Sequence, residues 1–106
     1  MALRHVAPGE KIHLPAVASS ADAKTAAFVK TDRFEAAQLV LRAGDTIARH
    51  SVPGYITIQC IEGSVILETQ EKIELKSREW LYLDRGEEHS VHAIENSLLL
   101  LTILFE

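Results

Sequence analysis

The sequence predicts an all-β sandwich or barrel, on three observations. Apolar and polar residues alternate with strand period after residue 26, most clearly over residues 55–61. There Ile56, Ile58 and Cys60 share one face and Tyr55, Thr57 and Gln59 the other. Turn signals recur about every 8–12 residues between short segments. The last segment, Ser97–Phe105, is apolar on both parities, as expected of a strand covered on both faces.

Taken in order, Pro8-Gly9 and Pro15 bracket a short segment, 11–14, able to pair at a sheet edge. The Ala- and Ser-rich stretch 16–27 reads equally as a loop or an irregular helical turn. Residues 26–31 and 34–42 are strands, followed by a Gly44-Asp45 turn. Residues 45–50 form a short strand running into Val52-Pro53-Gly54. The strand over 55–61 ends at the tight turn Glu62-Gly63-Ser64, and 64–69 returns from it. In 72–76 charge alternates with Ile73 and Leu75, so Glu68, Glu71, Glu74, Lys72 and Lys76 describe an exposed charged hairpin. Residues 79–83 set Trp80 and Tyr82 on one face, for core or interface packing, with Leu81 and Leu83 on the other. Asp84-Arg85-Gly86 turns into a strand over 89–94, and 97–105 closes the chain. The organisation expected is an N-terminal arm with edge strands over 1–34 and a barrel over 35–106, one domain in all.

Composition limits what such a domain does. A chain of 106 residues buries about two thirds of its surface, enough for a core without disulfides or structural metal. The net charge of −4 offers no electrostatic footprint for nucleic acid, and the halves split into +2 over residues 1–60 and −6 over 61–106. Cys60 is the single cysteine, which excludes an intrachain disulfide and a cysteine-rich zinc site. The residues after Met1 do not read as a signal peptide, since Arg4 and His5 lead into Val6-Ala7-Pro8-Gly9. The apolar run at the end is too short to span a bilayer. A cytoplasmic protein with neither nucleic-acid nor membrane partners is expected. The doubly apolar last strand calls for a cover, either the N-terminal segment or a second copy of the chain, and a homodimer is the expectation.

Two segments carry a family resemblance. In the first, Gly44 is followed by five residues and His50, then by Val52, Ile56 and, after six residues, Gly63. In the second, Arg78, Asp84, Gly86, His89 and Ala93 fall at matching intervals. These resemble the paired motifs of the cupin superfamily (RmlC-like, cupin type 2). The first motif reads Gly, five residues, His-x-His, three or four residues, Glu, six residues, Gly. The second reads Gly, five residues, Pro-x-Gly, two residues, His, three residues, Asn. The resemblance covers residues 35–105 and implies a double-stranded β-helix, or jelly-roll, barrel of two antiparallel sheets.

Metal-binding members of that superfamily place three His and one Glu around Mn, Fe, Ni or Zn inside the barrel. Of these positions the chain keeps His50 and His89, while Val52 and Ile56 replace the other two with side chains that have no lone pair to donate. His50 and His89 are thus the metal-ligand candidates, with the divalent metal expected to be absent or weakly bound. Alternation turns His92 and Gln59 away from the interior, and Tyr55 lies close to the barrel mouth. Cys60 reads as a buried filler, and His5 and His13 as surface residues.

Three functions follow. The favoured one is binding of a small-molecule ligand in an apolar pocket of His50, Val52, Tyr55, Ile56, Ile58 and His89. The second is a metal-dependent enzyme, oxygenase- or isomerase-like, with a reduced metal centre. The third is a non-catalytic structural or regulatory partner. The sequence assigns no catalytic residue.

Overall fold

The computed structural model describes residues 5–17 and 20–105. The signal-peptide reading at residues 1–4, and part of the undecided stretch at 18–19, lie outside the described residues. Among those described, nine strands and no helix are present: β1 (Ala26–Lys30), β2 (Phe34–Leu41), β3 (Thr46–His50), β4 (Gly54–Glu62), β5 (Ser64–Glu68), β6 (Lys72–Lys76), β7 (Trp80–Leu83), β8 (His89–Ala93) and β9 (Ser97–Phe105). No helix there is long and apolar enough to cross a membrane.

The strands form two antiparallel sheets, β1-β2-β9-β4-β7 and β3-β8-β5-β6. Strands adjacent in a sheet are mostly remote in sequence. β9, for instance, lies between β2 and β4, pairing Leu99 with Leu39 on one side and with Cys60 on the other. Each sheet turns one face inward. Ile56, Ile58 and Cys60 of β4, Leu83 of β7, and Leu99 and Ile103 of β9 meet Val65, Leu67, Leu75, Val91 and Ala93 of the other sheet in one core, all at most 7% exposed. Burial of these aliphatic side chains is the main favourable term in folding.

The N-terminal segment differs from the expected edge strand at 11–14. Those residues take no strand; instead the Val6 N–H donates to the Phe28 carbonyl of β1 at 2.9 Å. The Pro8-Gly9 turn, closed by Glu10 N–H to Ala7 O, carries the chain off that edge before it reaches 11. Further on the segment is pinned by Arg42, whose guanidinium donates to the carbonyls of Val17 and Ser20 at 2.9 Å and of Ala23 at 3.3 Å.

Candidate functional site

His50 and His89 are cross-strand partners on β3 and β8. A β-bulge brings them together. Between Ile47↔Val91 and His50↔His89, β3 spends three steps against two on β8. Ile47 packs against the core, so strict alternation would turn His50 outward; the extra residue restores it to the face that His89 shares with Val91. The ring centroids are 4.4 Å apart at an interplanar angle of 54°. His89 is buried at 3% exposure, whereas His50 is open to solvent.

Both rings are oriented in the same way. His50 Nδ1 lies 2.9 Å from the Ala48 carbonyl and His89 Nδ1 lies 3.0 Å from the Glu87 carbonyl. A carbonyl oxygen only accepts, so each Nδ1 carries the hydrogen and each neutral ring keeps its lone pair on Nε2. The turn before β8 supports this arrangement: Glu87 N–H donates to Asp84 O, and Asp84 N–H donates to a Glu87 carboxylate oxygen. Burial holds the His89 pKa below the ordinary imidazole value of 6.5, opposed by the Glu87 carbonyl and reinforced by His50 nearby. Arg49, inside the bulge, adds positive charge; it lies 4.0 Å from Glu88 and donates to Thr69 O. In its neutral form each ring can accept a hydrogen bond at Nε2, and burial favours the neutral form of His89.

The other sequence-predicted residues are dispersed. Val52, two residues beyond His50 in the chain, is half-buried against the core. Ile56 and Ile58, 2% and 1% exposed, are members of the packed core. Tyr55 pairs with Leu104 on the outward side of the five-stranded sheet, and the Arg85 guanidinium stands 5.5 Å from its ring centroid. His92 and Gln59 are exposed, as alternation requires, and His92 shares a 3.0 Å hydrogen bond with Thr46. Cys60 is fully buried, and desolvation with nearby Glu79 pushes its thiol up to about 11, far from a reactive thiolate. Arg49 escaped the sequence reading; its only signal is the break in alternation at Ala48-Arg49.

Two imidazoles alone make a poor metal centre. Val52 and Ile56 contribute nothing to one, and among the described residues no group of three or more His, Cys, Asp or Glu is placed to hold an ion. A cleft of about 810 Å³ lies elsewhere, between the N-terminal segment and β1, lined in part by Val6, Ile12, His13, Asp22, Phe28 and Gln38. Polar groups there are engaged in holding the segment: Gln38 Nε2 donates to Lys24 O at 2.7 Å, and Thr25 Oγ1 accepts from Val40 N–H at 2.9 Å.

No protein-family model and no curated protein matches the chain. Solved structures do. A cupin superfamily protein from Desulfitobacterium hafniense is similar at 15% identity with a TM-score of 0.81, covering 98% of this chain and 100% of that one. A Streptococcus pyogenes protein of unknown function gives 19% identity and 0.80, over 100% and 98%. KdgF from a Halomonas species gives 18% and 0.69, over 77% and 79%. At such identities the likeness is one of fold, and the chain has the fold of a small RmlC-like cupin domain.

Proposed function

We propose that this cupin domain binds a small hydroxylated molecule on the His50–His89 pair, with the apolar part of the ligand against Val52. The observation that carries the reading is the shared anchoring of the two rings: a bulge brings them together, and both Nδ1 hydrogens are committed to backbone carbonyls. Two Nε2 lone pairs then remain as acceptors for hydroxyl hydrogens. A deprotonated ligand oxygen has no hydrogen to donate to such a lone pair. Two imidazoles with no third His, Cys, Asp or Glu grouped with them among the described residues favour this over a metal centre.

Phenol and catechol are suitable probes. In wild-type protein either should shift the imidazole Cε1–H NMR signals of both histidines in a saturable way. His50→Ala should weaken that binding at least tenfold while leaving the methyl spectrum of the core intact. Equal binding by His50→Ala would remove the site from consideration. Elemental analysis of tag-free protein should find well under one metal per chain. A full equivalent that disappears in the His50→Ala/His89→Ala variant would replace this reading with the metal-dependent one.

A further inference from the structure

The N-terminal segment is tied to the five-stranded sheet at its two ends. Val6 N–H is held by Phe28 O on the edge of β1, and the Arg42 guanidinium holds the carbonyls of Val17, Ser20 and Ala23. Between these ties the Pro8-Gly9 turn carries the chain off the edge, and Lys11, Ile12 and His13 stay exposed while lining the cleft of about 810 Å³ left there. The floor of the cleft includes Gln38 of β2 and its register partner on β1, Ala26. Gln38 is 5% exposed, and its amide is only half used. Nε2 donates to Lys24 O at 2.7 Å, which fixes the orientation of the amide, because a carbonyl oxygen only accepts. Oε1 has no hydrogen-bond partner among the described residues, yet none of their buried side-chain oxygens is left unpaired. The oxygen therefore opens to the cleft that Gln38 lines. A largely buried acceptor in such a place costs free energy until a donor reaches it.

We propose that this cleft is a second binding site, for a neutral and mostly apolar small molecule that donates one N–H or O–H hydrogen bond to Gln38 Oε1. Its volume lies within the range of about 300–1,000 Å³ usual for small-molecule pockets. Val6, Ile12, Ala26 and Phe28 supply apolar walls around the single inward acceptor, the combination that fixes a small ligand and its orientation together. Charge around the cleft cancels, with Lys11 and Lys24 set against Glu10 and Asp22, all four exposed. Such a rim gives no advantage to an anion or a cation. The site is separate from the histidine pair. His50 and His89 belong to the four-stranded sheet, whereas Gln38 lies on the five-stranded one, next in the chain to the core-packed Leu39 and on the opposite face from it.

Indole is the probe, with one N–H donor on an apolar body, and N-methylindole is the same body without the donor. Indole at millimolar concentration should shift the methyl NMR signals of Val6 and Ile12 in a saturable way, with cross-relaxation to the Phe28 ring. N-methylindole should bind about tenfold more weakly, since it leaves Gln38 Oε1 unpaired. Gln38→Met should bind the two probes alike. That comparison is made within one variant, so loosening around Lys24 does not enter it. Ile12→Asp, at a position already 38% exposed, should weaken indole binding while the circular dichroism stays that of wild type. His50→Ala should leave the responses of Val6 and Ile12 to indole unchanged, so that failure at one site is told apart from failure at the other. Three results would overturn the proposal: no response at Val6 and Ile12, equal binding of both probes by wild type, or a preference for indole that survives in Gln38→Met.

Discussion

Arg78 holds φ at +74°, a conformation that L side chains with a Cβ disfavour by about 1–2 kcal/mol. Its backbone N–H is nonetheless fixed by a 2.7 Å hydrogen bond to Cys60 O, which ties the β6–β7 turn to β4. Arg78→Gly should therefore stabilise the fold by about 1 kcal/mol, read as a higher urea midpoint with an unchanged slope. The position was legible: Arg78 stands where the resembled motif carries Gly, and the backbone has kept the shape that glycine serves. His89 makes a second prediction at this scale. Burial lowers its folded-state pKa below 6.5, so the unfolded chain takes up this proton at higher pH than the folded one. The contribution to stability is complete above pH 6.5 and falls as pH drops from there through the folded value. Urea midpoints measured on either side of pH 6.5 should differ in that sense, and His89→Gln should shrink the difference; a midpoint rising on acidification would contradict the assigned cause.

Turns decide how well each element could be read in advance. From β1 onward the strand ends fall within a residue of the sequence expectation, because Gly, Pro and Asp mark the turns and alternation marks the runs between them. The bulge in β3 left no such mark. Ala48 and Arg49 interrupt the alternation without an apolar residue to show which face each takes, so the geometry that pairs the histidines had to come from the register. The turn at Gly63, which carries the chain from one sheet to the other, shows the opposite case, a motif residue retained for a backbone reason. Gly63 has φ +92°, and a Cβ there would run into Ser97 Oγ and the Asn96 carbonyl. That hydroxyl accepts from Ser64 N–H at 3.1 Å in a fully buried setting, so it cannot simply move aside. Gly63→Ala should cost about 3 kcal/mol or more, the sum of left-handed strain and overpacking, measurable as a lowered urea midpoint. A cost below about 1 kcal/mol would mean that the β4–β5 turn relaxes freely.

Across the whole molecule, the barrel and the N-terminal segment are held by different kinds of interaction. The barrel rests on a continuous aliphatic core shared by both sheets, which period-2 patterning revealed. The segment lacks such a pattern, and polar ties hold it: Val17 through Glu62, and three backbone carbonyls through the single Arg42 guanidinium. Among its described residues the deep anchor is Val17, 1% exposed. An arginine at this position gives no sequence signal of such a role, because its acceptors are carbonyls and therefore carry no residue identity. Arg42→Met keeps the aliphatic stem and removes the three donors. Amide exchange over residues 20–25 should then accelerate at least tenfold, while exchange in β4, β5 and β9 stays near wild type, since local opening of the segment leaves the core closed. A uniform acceleration through all these strands would instead make Arg42 part of the global cooperative unit, with the segment folding together with the barrel.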